Sequence, residues 1–124
     1  FPTRRSSDLG LSPTENGGIG AVKYALAADV KHDIAKAYGI EHPEAGVALR
    51  ASFLIDKNGV VRHQVVNDLP LGRNIDEMLR MVDALQFHEE HGEVCPAQWE
   101  KGKEGMKDNP EGVAKYLKQN ADKL

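Results

Sequence analysis

The spacing of apolar residues along the chain switches between a period of two and a helical repeat, and each switch predicts an element. Ser12 to Gly20 is a polar loop whose glycines admit tight or left-handed turns. Lys23 to Ala27 then alternates, with Tyr24 and Leu26 on one face, and predicts a short strand. Asp29 is placed as the N-cap of an amphipathic helix in which Val30, Ile34 and Tyr38 recur at helical spacing. Gly39 offers that helix a left-handed stop.

A loop through His42-Pro43-Glu44 leads to the compact apolar run Ala51 to Ile55, which carries Phe53, Leu54 and Ile55. Asp56-Lys57-Asn58-Gly59 bounds it, and Asn58-Gly59 suits a turn with positive φ at both positions. Val60 to Val66 is β-branched and completes a predicted hairpin. Asn74 with Glu77 three residues on has the form of a capping box, and Ile75, Met78, Leu79, Val82 and Leu85 mark one face of a helix ending near Gly92. Asn109-Pro110 opens a last short helix through Val113, Tyr116 and Leu117. The order β, α, β, β, α and a tail predicts an α/β fold, in which three strands leave a sheet edge open.

Composition narrows this picture. With 124 residues, 40% of them hydrophobic, and a net charge of −3, the chain is at most one small domain with a modest core. No apolar run approaches membrane-spanning length, and none resembles the apolar stretch of a signal peptide. Weak acidity with no clustered basic face argues against nucleic acid as a partner. A single cysteine without a disulfide framework fits a reducing compartment, and the expected location is the cytoplasm. Phe1 to Leu9, FPTRRSSDL, has neither an initiator Met nor apolar periodicity. It reads as the translation of a sequencing adapter joined to a genuine reading frame, so the chain is expected to be a truncated fragment.

The candidate chemistry centres on Gly92-Glu93-Val94-Cys95-Pro96-Ala97-Gln98-Trp99, which holds the only cysteine and the only tryptophan. A lone thiol cannot close a disulfide within its own chain, so a redox role for Cys95 requires a second sulfur elsewhere. Pro96 turns the backbone away from helix, which presents Cys95 on an extended arm that Trp99 could pin to the body. The bland alternative is a buried cysteine acting as a small hydrophobe. His88-Glu89-Glu90-His91 with Cys95 offers three possible metal ligands, but the histidines stand at i and i+3 rather than the zinc-protease i and i+4. No metal is expected. Arg73 just before a helix gains nothing from the positive end of the helix dipole, which hints at another partner.

Several motifs, taken in order, resemble one family. They are Gly17-Gly18-Ile19-Gly20, Ala28-Asp29, Tyr38-Gly39, Arg50-Ala51-Ser52-Phe53-Leu54-Ile55-Asp56, Asn67-Asp68-Leu69-Pro70-Leu71-Gly72-Arg73 and His91-Gly92-Glu93-Val94-Cys95-Pro96-Ala97-Gln98-Trp99. From Asn16 to Leu124 the chain resembles the C-terminal portion of a typical 2-Cys peroxiredoxin of the alkyl hydroperoxide reductase and thiol-specific antioxidant family. The resemblance implies part of a thioredoxin-like domain over residues 10–92 and a C-terminal arm with its helix over 93–124.

It also implies a thiol peroxidase without a cofactor. A peroxidatic cysteine becomes a sulfenic acid, a resolving cysteine of the partner subunit condenses with it, and thioredoxin or a flavoprotein reduces the disulfide. On this resemblance Cys95 is the resolving cysteine, Arg50 the active-site arginine that favours thiolate and stabilises the peroxide oxygens, and Arg73 a support for that network. Without the resemblance, both arginines would read as ordinary surface cations. A homodimer that can build a decameric ring is implied as well.

The peroxidatic motif does not occur in the sequence and is expected upstream of the apparent truncation, so this stretch alone is not expected to turn over peroxide. Gly17-Gly18-Ile19-Gly20 and Tyr116-Leu117 depart from the Gly-Gly-Leu-Gly and Tyr-Phe of overoxidation-sensitive members. The alternative from another class is a non-catalytic thioredoxin-like scaffold or holdase, in which Cys95 would be dispensable.

Overall fold

The computed structural model describes residues 19–123 and the backbone of Thr3 and Arg4; most of Phe1–Leu9 and the loop Ser12–Gly18 lie outside the described residues. The chain divides into two compact units, Phe1–Leu49 and Arg50–Leu124. Residues on both sides of position 92 fall in the second unit.

In the first unit, β1 (Thr3–Arg4) pairs antiparallel with β2 (Leu26–Ala27), Thr3 opposite Ala27 and Arg4 opposite Leu26. The strand expected over Lys23–Ala27 is therefore two residues long. Its partner comes from the adapter-like segment, because a bare ladder uses only backbone groups and any extended stretch can supply them. Tyr24 points outward, 62% exposed.

Helix α1 (Asp33–Ala37) starts three residues later than Asp29 predicts, with His32 as its N-cap at φ 63°. Asp29 nevertheless supplies the capping oxygens. Its carboxylate accepts from the N–H groups of Ile34 at 3.0 Å and Ala35 at 2.9 Å, after the chain has turned through a bond from His32 N–H to the Asp29 carbonyl. The bond from Ile34, above all, holds the Asp29 carboxyl below its ordinary value of 3.8. Val30 is left ahead of the helix and is 84% exposed, while Ala35 is buried. The predicted stripe thus does not form the packed face. Gly39 does end the turn at φ 69°, its N–H donating to the Lys36 carbonyl.

The second unit opens with a hairpin of β3 (Arg50–Ile55) and β4 (Val61–Asn67), paired from Arg50 and Asn67 to Leu54 and His63, with a bulge before Ile55 and Val61. The turn differs from the expected one. Only Gly59 takes positive φ, at 79°, while Asn58 does not. The reason is Asp56, whose carboxylate accepts from the N–H groups of Asn58 at 2.9 Å and Val60 at 3.0 Å and from Arg62 at 3.1 Å. That grip selects a longer turn with one left-handed glycine in place of the two-residue form. β2 ladders with β1 and β3 with β4, so the three expected strands do not share one sheet.

Helix α2 (Ile75–His91) packs on β3. Asn74 caps it, accepting from Glu77 N–H at 3.1 Å, and Gly92 closes it at φ 70°. The reciprocal half of the capping box is absent because Glu77 turns to Arg80 instead. Of the predicted face, Ile75 and Leu79 are 61% and 58% exposed, whereas Ala84 is buried. The other members of the predicted face, Met78, Val82 and Leu85, are half-buried, and Leu85 lines a groove with Leu54, Met81 and Ala84, so the covered face keeps the C-terminal part of the stripe and extends to Met81 and Ala84.

Helix α3 (Pro110–Asn120) begins with Asn109 accepting from Gly112 N–H at 2.7 Å, and it runs into a short 3-10 turn at Ala121–Lys123. A side chain at Gly112 would meet the Lys107 carbonyl at 2.5 Å, which explains a glycine inside the first turn. Among the described residues only Ala35, Ala84 and Trp99 are buried apolar residues, so the chain holds no deep core of its own.

The Asp56 cluster makes a pH dependence. Its carboxyl is held below the ordinary 3.8 chiefly by Val60 N–H, with help from Arg62 and against partial desolvation. A lowered folded value means that its stabilisation is complete above the ordinary carboxylate range and is lost as the pH falls through the folded value. Urea midpoints measured from about pH 5 to about pH 2 should therefore fall less steeply in Asp56→Asn than in the parent. Equal slopes would remove Asp56 from the acid response.

Candidate functional site

The segment that carries Cys95 is shaped by the end of α2. Gly92, in left-handed conformation, donates its N–H to the His88 carbonyl at 2.8 Å and turns the chain out of the helix. His88 Nδ1 then meets the Glu93 carbonyl at 2.8 Å, and since a carbonyl only accepts, that nitrogen carries the proton. Val94 and Met106 exchange a pair of backbone bonds of 2.8 and 2.9 Å, which ties the segment to the strand-like stretch ahead of α3.

Cys95 follows, half-buried, its Sγ donating to the Ala84 carbonyl at 3.5 Å. Burial pushes its thiol up from 9.0, and the Arg80 guanidinium offsets part of that rise. Beside the sulfur lies a groove of about 340 Å³ walled by Leu54, Met81, Ala84 and Leu85, with Arg62 and His88 as its charged and polar members.

Four residues on from Cys95, Trp99 is the anchor. It is 3% exposed, its indole N–H donates to the Lys103 carbonyl at 3.1 Å, and its ring centroid lies 5.0 Å from that of Phe87 at 46°. Phe87 in turn lies 4.6 Å from His91. The backbone of Gly105 comes so close that a Cβ there would sit 2.5 Å from the Phe87 ring. The arm expected outside the regular elements is thus docked along α2, pinned by Trp99 and held also at Val94 and Cys95.

Arg50 and Arg73 meet at the other end of β3. Arg50 Nε donates to the Leu69 carbonyl, and Arg73 Nη1 donates to the Ala51 carbonyl at 2.7 Å. Both side chains stay exposed and, among the described residues, pair with no acid, so each guanidinium keeps donors for a ligand. Cys95 is not brought to them. Its groove reaches β3 at Leu54, four residues beyond Arg50, or about 13 Å along the strand.

The His88-Glu89-Glu90-His91 run is dispersed. His88 serves Glu93, while His91 packs on Phe87 and lies 4.0 Å from Glu90. Among the described residues, no group of three or more His, Cys, Asp or Glu is placed to hold a metal ion. The residue that the sequence reading passed over is Arg80. Its pairing with Glu77 at i and i+3 was visible as a helix-surface ion pair, but its bond to the Trp99 carbonyl was not.

An α/β unit of this kind, with a lone thiol on a docked segment and paired arginines at a strand start, has counterparts of known structure. The chain superposes on reduced 2-Cys peroxiredoxin of Plasmodium vivax with a TM-score of 0.83 and 47% identity, covering 91% of this chain and 58% of that one. Its residues 9–64 match the AhpC/TSA family, and residues 84–119 match the C-terminal domain of 1-Cys peroxiredoxin. Alkyl hydroperoxide reductase C of Buchnera aphidicola is 65% identical over 104 residues, which is 84% of this chain and 52% of that protein. Alkyl hydroperoxide reductase C of Helicobacter pylori is 60% identical over 113 residues, or 91% of this chain and 57% of that protein. The chain belongs to the AhpC/TSA family of peroxiredoxins. It spans about half the length of the curated relatives it matches.

The contact between Gly105 and Phe87 gives a direct check on the anchor. Gly105→Ala should push the Phe87 ring off the indole, destabilise the docked arm by about 1–3 kcal/mol and shift the emission of the only tryptophan to longer wavelength. Unchanged fluorescence and an unchanged urea midpoint would show that the packing has slack there.

Proposed function

We propose that the whole protein is a thiol-dependent peroxidase acting on hydrogen peroxide and alkyl hydroperoxides, and that Cys95 is its resolving thiol. The names of the relatives support the reaction class. The observation that carries the role of Cys95 is its place. It lies between α2 and α3, half-buried, on a single 3.5 Å sulfur contact that is easily given up.

A raised thiol pKa also suits this role. Attack on peroxide requires a thiolate, and a thiol kept protonated by burial is a poor first nucleophile. In the proposed cycle another cysteine thiolate attacks the peroxide O–O bond, giving a sulfenic acid and releasing an alcohol or, from hydrogen peroxide, water. Cys95, once undocked, attacks that sulfur. The S–S bond forms, the S–O bond breaks, and the hydroxyl leaves as water with the thiol proton.

Because the groove at Leu54 stands apart from Arg50 and Arg73, the oxidised sulfur met by Cys95 would belong to a second copy of the chain, in a homodimer or a ring built from dimers. Arg50, whose guanidinium meets no acid among the described residues, would stabilise charge on the thiolate and the peroxide oxygens, with Arg73 bracing the strand start. Thioredoxin or a flavoprotein disulfide reductase would return both sulfurs to thiols.

In the protein expressed with its complete coding sequence, Cys95→Ser should abolish the peroxide-induced covalent dimer on non-reducing gels. Formation of sulfenic acid, trapped with dimedone, should survive. A reducible dimer that persists without Cys95 rules the assignment out.

A further inference from the structure

We propose that Arg80 is a positioning residue, a latch whose bond to the Trp99 carbonyl confines the Cys95 segment against α2; the inference rests on Cys95 acting as the resolving thiol.

Arg80 and Glu77 stand at i and i+3 on α2 and pair through two parallel bonds, Nε to Oε2 at 2.6 Å and Nη2 to Oε1 at 2.7 Å. Such a fork fixes the plane of the guanidinium. The remaining donor, Nη1, is thereby aimed off the helix, and it meets the Trp99 carbonyl at 2.7 Å. A helix-surface ion pair has no need of that third bond. Its acceptor lies 19 residues away in sequence, in the arm.

The Trp99 carbonyl is the far end of a tight turn. Trp99 N–H donates back to the Pro96 carbonyl at 3.0 Å, and Gln98 within the turn takes φ 66°, an uncommon conformation for a residue with a side chain. Cys95 sits one residue before this turn and one residue after the Val94–Met106 pair. Of the polar ties along this stretch, those at Val94, Cys95 and the indole N–H join neutral groups; Lys103 Nζ donates to the Gln98 carbonyl at 3.3 Å from within the arm itself, and among the described residues Arg80 is the permanently charged donor that reaches the arm from α2. A charge-assisted bond is about twice as strong as a neutral one, so releasing the arm must break its strongest single polar tie. Arg80 also acts on the sulfur directly, since its cation opposes the effect of burial on the thiol. Arg62 and His88 are the basic groups that line the groove beside Cys95, and Arg80 is not among its walls.

The test is carried out on the complete protein in the reduced state. Iodoacetamide labels Cys95, and the labelled peptide is quantified by mass spectrometry across urea concentrations below the unfolding transition. Arg80→Met keeps the length and apolar stem but has no donors, and it should raise the Cys95 labelling rate roughly tenfold. Loss of the cation alone would slow labelling by raising the thiol pKa, so a faster rate reports exposure.

The rate should change little across low urea, because local release uncovers little surface. Arg80→Lys keeps the charge and should fall between parent and Arg80→Met. Glu77→Gln leaves Arg80 in place and weakens its fork. It should raise the rate by a smaller factor, and it keeps the test alive if Arg80→Met misfolds. Labelling that is unchanged in all three variants, or that rises only in step with urea-driven unfolding, overturns the latch. No peroxide enters this measurement, so its failure leaves the role of Cys95 standing, whereas a covalent dimer that survives Cys95→Ser would deny that role without altering the labelling rates.

Discussion

The indole of Trp99 lodged against Phe87 is the contact on which the second unit depends. An aromatic side chain of that size removes about 200 Å² from water, on the order of 5 kcal/mol before the entropy of ordering is set against it. Among the described residues few other apolar side chains are so completely covered. The segment after α2 contributes no long run of regular backbone bonds, so without this ring it would have little reason to lie along the helix. Gly105 is the necessary counterpart, because only a residue without Cβ lets the backbone pass so close to Phe87.

From that anchor the forces around Cys95 fall into an order. Ring burial decides whether the arm docks at all. The charged bond from Arg80 and the paired backbone bonds at Val94 fix where it docks, and the sulfur contact to Ala84 contributes least. The Cys95 thiol is thus kept in place by its neighbours rather than by its own bonds. The cost of moving it is set at Trp99 and Arg80, and of the two Arg80 also bears on the charge of the sulfur.

What the sequence disclosed was local. Asn74 and Asn109 as caps, and Gly39 and Gly92 as left-handed stops, depend on a few adjacent backbone groups, and each stands where the pattern placed it. The hairpin was legible too, although Asp56 reshaped its turn. Faces were less legible, because a stripe such as Ile75 and Leu79 names apolar residues without naming what covers them. Asp29 shows a subtler limit: the right carboxylate caps the right helix, but from three residues ahead of the position that spacing alone assigns. Cys95, Arg50 and Arg73 were found through a pattern of motifs. Arg80 was not, since its decisive acceptor is a backbone carbonyl and leaves no mark on residue types.

The bond between His88 and the Glu93 carbonyl has a consequence of its own. Because the ring already donates from Nδ1, adding a proton places it on the opposite nitrogen and leaves this bond as it was, only with a stronger donor. This one joint is therefore indifferent to the charge of the ring: a histidine stands at the root of the arm, yet its bond to the Glu93 carbonyl has no reason to open when the other nitrogen gains a proton.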